Sequence, residues 1–97
     1  MSHTDETITV APQVRSRILD GEAVVLHLGS GTYFGANEVG SRIWELLLEG
    51  TSRASLDERL ALEFEVDRAT LTSDVDRFLG ELERAGLIVR QLEGQAR

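Results

Sequence analysis

Cysteine is absent from this chain, and with it go disulfides, thiolate nucleophiles and thiolate metal sites. Lysine is absent too. All ten basic residues are arginine, which excludes Schiff-base chemistry through a lysine amine. Histidine is scarce: His3 stands in a polar leading segment and His27 in a strand, so no histidine metal set or catalytic dyad can be assembled. No apolar run approaches the roughly 20 residues needed to cross a bilayer. The opening residues Met1 to Thr7 carry neither the basic region nor the apolar core of a secretory signal, so a cytosolic protein that does not bind membranes is expected. Positive charge is in short supply, with ten basic residues against seventeen acidic and a net charge of −7. Such a chain repels the phosphates that dominate nucleic-acid affinity, so no nucleic-acid partner is expected. A glycine-rich phosphate loop is missing as well, because Gly29-Ser30-Gly31 precedes a strand rather than a helix.

What is present is enough for one folded domain. Ninety-seven residues with a hydrophobic share of 41% can bury a core of modest size, taken here as a single domain over 1–97 with an ordered core over about 8–92. The stretch from Gly29 to Leu48 organises it. A glycine-framed turn leads into a short strand, Thr32 to Ala36, and Asn37 turns that strand into a helix whose Val39, Ile43, Leu46 and Leu47 recur at helical spacing. Asn37 suits the junction because its side-chain carbonyl can take an unpaired amide of the first turn, and Glu38 places negative charge at the positive helix end.

Before this stretch the chain reads as strand. Ile8, Val10, Pro12 and Val14 alternate with polar residues, and Pro12 demotes that part to an edge or an irregular lead-in. Val14 to Leu19 is the first expected strand, Asp20-Gly21 a two-residue hairpin turn, and Glu22 to Leu28 the second strand. The latter carries Val24, Leu26 and Leu28 on one face and Val25 and His27 on the other. After it the chain reads as helix. The first helix spans about Glu38 to Glu49 and stops at Gly50. The second carries Leu56, Leu60, Ala61 and Phe64, capped by Ser52 or Ser55. The third, capped by Asp67, carries Leu71, Val75, Phe78, Leu79 and Leu82 and ends near Ala85-Gly86. Leu87 to Val89 is a short apolar tail expected to fold back on the core. The polar residues 1–7 are expected to fray, and those beyond Leu92 to be loose. The fold class is α+β and winged helix-turn-helix-like, a three-stranded antiparallel sheet followed by three helices.

The ordered set of these pieces resembles the PqqD-like proteins, also called RiPP recognition elements, which bind the leader part of ribosomally made peptide precursors. The likeness covers about Val14 to Val89. It is carried by Gly31-Thr32-Tyr33-Phe34, by Asn37-Glu38-Val39-Gly40 with Ile43-Trp44-Glu45-Leu46-Leu47, by Phe64-Glu65-Val66-Asp67, and by Asp74-Val75, Phe78-Leu79, Leu82 and Ala85-Gly86-Leu87-Ile88. As a free-standing short chain it is most similar to the lasso-peptide B1 leader-binding type. One departure is the small pair Gly35-Ala36, where the family usually carries a larger apolar residue before the asparagine; small residues there leave room for a bulky leader side chain.

The resemblance implies a non-catalytic module without cofactors. The leader adds as a fourth strand beside the third, in the groove facing the third helix, by β-augmentation. The domain then presents the precursor to a separate maturation enzyme such as a leader peptidase. The residues implied are Thr32, Tyr33, Phe34 and Gly35 for strand pairing, Leu71, Val75, Phe78, Leu79 and Leu82 across the groove, and Asp74, Arg77 and Glu81 on its rim. A peptide chaperone of the PQQ type is the alternative within the family. A DNA-binding winged-helix regulator is the alternative outside it, opposed by the third helix, where Asp74, Asp76, Glu81 and Glu83 outnumber Arg77 and Arg84. A monomer or weak dimer is expected, since an open strand edge can also pair with itself.

Overall fold

Asn37 is the hinge between the sheet and the helical half. In the computed structural model, which describes residues 6–92, its extended backbone ends the strand region and its side chain accepts the Gly40 N–H at 2.9 Å. The first helix, α1 (Glu38–Glu49), begins there. Ahead of it run four strands, β1 (Glu6–Val10), β2 (Val14–Leu19), β3 (Glu22–His27) and β4 (Tyr33–Gly35). After it come β5 (Thr51–Ser52), α2 (Arg53–Glu63), α3 (Arg68–Arg84) and β6 (Ile88–Leu92).

The expected three-stranded meander is present as β2-β3-β4, antiparallel throughout. Asp20 and Gly21 both take positive φ at its first turn, the backbone of the tight hairpin that an Asp-Gly pair favours. The three helices follow in the expected order. Ser52 settles the second helix start, its hydroxyl accepting the Ser55 N–H; Asp67 caps α3 through Thr70. Past α3, Gly86 at φ 78° lets its own amide and that of Leu87 return to the carbonyls of Glu83 and Leu82.

A second sheet, in the order β5-β1-β6, was not foreseen. The alternation at Ile8 and Val10 does form a strand, and it is the central one of its sheet. Pro12 does not prevent this because the strand ends at Val10, before the residue that lacks an amide. The apolar tail folds back as anticipated, pairing as β6 with β1 from Val10↔Ile88 to Glu6↔Leu92. Residues 1–5 and 93–97, where fraying and looseness were expected, lie outside the described residues.

The core lies between the sheets and helices. Ile8, Ala23, Val25, Ile43, Trp44, Leu47, Leu56, Leu60, Leu79, Leu82 and Leu87 are all buried. On β3 it is the Ala23–Val25 face that turns inward, leaving Val24 and Leu26 half-buried on the outer face and Leu28 exposed. The reason is close approach: Ala23 is small, and Ser41 of α1 accepts its N–H at 2.6 Å.

Candidate peptide-binding site

β4 is laddered along one side only. Ala36 donates its N–H to the Ala23 carbonyl and the Thr32 carbonyl accepts the His27 N–H, each at 3.0 Å, with Phe34 opposite Val25 between them. Backbone groups alternate sides along a strand. Thr32, Phe34 and Ala36 therefore face β3, whereas the N–H and C=O of Tyr33 and of Gly35 point the other way. Among the described residues nothing pairs with those four groups.

Across that edge stands α3. The groove between them, about 240 Å³, is lined by Phe34, Gly35, Ala36 and Asn37 on the strand side and by Arg77, Phe78 and Glu81 on the helix side. It continues past Asn37 and Phe78 into a tighter recess of about 180 Å³ formed by Val39, Gly40, Ile43 and Val75. Phe78 separates the two, meeting Phe34 edge to face with ring centroids 5.7 Å apart. Its ring also lies against α1, where a methyl group on Gly40 would stand 3.0 Å from its Cε1. On the rim Arg77 and Asp74 form an exposed ion pair at 3.2 Å, of the kind that tunes rate and register more than affinity.

Of the residues anticipated for the site, Phe34, Gly35, Asp74, Val75, Arg77, Phe78 and Glu81 come together along the two walls, while Tyr33 contributes only its backbone to the open edge, its side chain being exposed on the other face of the sheet. Thr32 does not offer its backbone to the open side; its carbonyl is spent on His27 and its hydroxyl pairs with Ser30. Leu71, Leu79 and Leu82 are turned into the core rather than the groove. Asn37, Val39, Gly40 and Ile43 line it without having been anticipated, and Ala36 was marked only as a small residue leaving room for the leader; for the others the sequence signal was Gly40, a glycine inside the first turn of a helix, where close approach is a common cause.

Among the described residues no cluster could hold a metal ion. The carboxylates with displaced pKa values lie elsewhere: Glu63, held below its ordinary value by the hydrogen bond from Arg42, and Asp76, held down by that from Arg53. No helix among the described residues is long and apolar enough to cross a membrane.

These features define an α+β domain of winged helix-turn-helix-like form, with a groove of mixed polar and apolar lining beside a strand edge that no described residue pairs. The sequence model of the family described as coenzyme PQQ synthesis protein D (PqqD) matches residues 22–88, and the chain belongs to that family, as its resemblance to PqqD-like RiPP recognition elements implied. Two solved structures share the fold. "TbiB1 in Complex with the TbiA(beta) Leader Peptide" is 42% identical, covers 92% of this chain and 99% of its own, and has a TM-score of 0.78. "Lasso peptide synthetase B1 complexed with the leader peptide" is 27% identical, covers 84% of this chain and 96% of its own, and has a TM-score of 0.75. Comparison with curated proteins gave no significant match.

Proposed function

We propose that this protein binds the leader region of a ribosomally synthesised precursor peptide as an added antiparallel strand along β4, and presents it to a separate maturation enzyme such as a leader peptidase without performing chemistry itself. The observation that carries this reading is the edge of β4, unpaired among the described residues, facing the Phe78 wall. Two protein residues, Tyr33 and Gly35, each offer one donor and one acceptor, a pattern that a guest strand can match. In that register the guest residue opposite Phe34 sits in a non-hydrogen-bonded pair, where side chains are closest. Its side chain points inward, onto Phe34 and Phe78, and supplies the apolar anchor. The charged rim fixes direction.

The likeness to a lasso peptide synthetase B1, 27% identical over 84% of this chain, favours a lasso-peptide precursor over one of the PQQ type. The enzyme would meet the outer face of the β2-β3-β4 sheet. There Tyr33 is 74% and Leu19 52% exposed beside half-buried Val24 and Leu26, with Arg15 and Arg17 in the same cross-strand rows, a mixed apolar and basic face of the kind partners use.

Fluorescence polarisation tests the reading, using labelled leader peptide from the precursor gene nearest this protein's own and, as a second probe, the TbiA(beta) leader peptide. Wild type should bind with submicromolar Kd. Phe78→Glu, shown by circular dichroism to be folded, should bind at least tenfold more weakly, about 1.4 kcal/mol. Unchanged affinity in that folded variant would remove the groove from consideration. A low-salt gel shift with duplex DNA should show no complex.

A further inference from the structure

Gly35 is a glycine that the free protein does not require. Its φ is not among the positive values found at Gly21, Gly31, Gly50 and Gly86, so the backbone conformation suits any residue. A Cβ built on it meets nothing within 4 Å, so packing does not exclude a side chain either. Glycine inside a strand weakens it, and commonly marks a place where something approaches closely.

The cross-strand rows show what that is. Gly35 stands opposite Val24, which stands opposite Arg17; the adjacent row is Tyr33, Leu26 and Arg15. Both rows lie on the outer face of the sheet, opposite to Phe34. Because the N–H and C=O of Gly35 face the open edge, a strand added there sets one residue directly across from it, with its side chain on the same outer face. Strands lie about 4.8 Å apart, so Val24 is two spacings, roughly 10 Å, from that guest residue. Only a long side chain bridges the gap, and a flat ring covers most of it. A ring laid across the glycine would cover Val24 and shield the ladder beneath, the pairing known to offset a glycine in a sheet.

We propose that Gly35 is the specificity-determining position of the groove, selecting a leader with an aromatic residue directly opposite it. This deepens the strand-addition reading and rests on it. Affinity then comes from the inward anchor at Phe34 and Phe78, whereas discrimination comes from the outward ring at Gly35.

The test pairs Gly35→Ala and Gly35→Val with an alanine scan of both leader peptides, read by fluorescence polarisation and thermal melting. In wild type, alanine at one aromatic leader position should cost at least tenfold in Kd. Gly35→Val should bind the intact leader at least tenfold more weakly, melt no lower than wild type, and lose less than threefold on the same leader substitution; Gly35→Ala should fall between. Equal losses across every leader variant, unchanged affinity, or a melting temperature lowered by Gly35→Val would overturn the proposal. If wild type binds neither leader, the failure belongs to the strand-addition reading itself.

Discussion

The rings of Phe34 and Phe78 meet edge to face, with planes at 73° and centroids 5.7 Å apart, and this contact joins the sheet to α3 at the floor of the groove. Both residues are half-buried and pack against the core. Aromatic pairs in this geometry contribute about 0.5–1.5 kcal/mol beyond the area they bury. A double-mutant cycle of Phe34→Leu and Phe78→Leu, measured by urea denaturation, should return a coupling in that range. Each single variant should also weaken leader binding at least fivefold. A coupling near zero would mean that the two walls are held apart by other contacts.

Two glycines in helices should behave oppositely. Replacing glycine by alanine in a helix ordinarily stabilises by up to about 1 kcal/mol. Gly80 in α3 has only the tip of Arg84 near it, at 3.7 Å, so Gly80→Ala should gain about 0.5–1 kcal/mol and leave leader affinity unchanged. Gly40 is different: a methyl there meets Phe78 at 3.0 Å and the Cβ of Ala36 at 3.1 Å. The Ala36 Cβ is fixed to the backbone, so the ring must give way, outward into the groove. Gly40→Ala should therefore forfeit the helical gain and lose at least fivefold in leader affinity, a contrast that melting and titration of the two variants measure directly.

Caps and turns were legible in the sequence because each depends on one or two residues and their nearest neighbours: Asn37, Asp67, Gly86 and the Asp20-Gly21 hairpin all act locally. The second sheet was not, since β1 and β6 pair residues such as Ile8 and Arg90 from opposite ends of the chain. Helical spacing identified the apolar stripe of α3 but not its division. Leu71, Leu79 and Leu82 face the interior, Val75 is buried at the back of the recess, and Phe78 lies at the stripe's margin, where no described element covers the groove. Which β4 groups face that groove follows from the register with β3, fixed by the length of the Gly29–Gly31 turn, and composition does not encode it.

Acid should weaken the tie between α1 and α2. Arg42 donates two hydrogen bonds to the Glu63 carboxylate, at 2.7 and 2.9 Å, and this holds the Glu63 pKa below its ordinary 4.5. A depressed carboxylate pKa stabilises the fold fully above the ordinary value, and the stabilisation drains as pH falls through the lower, folded one. Both side chains are about one-third exposed, so water and salt screen the pair to about 0.2–1 kcal/mol. Glu63→Gln should be less stable than wild type by that amount at pH 7, and the gap should close on acidification to pH 3, as urea melts at the two pH values would show. A gap of equal size at both would assign the loss to packing instead.

Ser41 is a buried polar residue in an otherwise apolar core, and it ties three elements at one point. Its hydroxyl accepts the Ala23 N–H at 2.6 Å and donates to the Ala36 carbonyl at 3.1 Å, clamping the start of β3 and the residue just past β4 onto α1. Removing it strands a buried donor and a buried acceptor, each of which costs about 1–3 kcal/mol when unsatisfied. Some relaxation is available, because the Ala36 N–H still reaches the Ala23 carbonyl. Ser41→Ala should therefore lose about 2 kcal/mol in urea denaturation, and the Ala23 amide should lose hydrogen-exchange protection before that of Val25. Leader affinity is the sharper readout. If the clamp sets the angle at which β4 presents Tyr33 and Gly35, the affinity of the still-folded variant falls; if the affinity holds while stability drops by the full amount, the β3-β4 ladder alone positions the edge and Ser41 serves only the core.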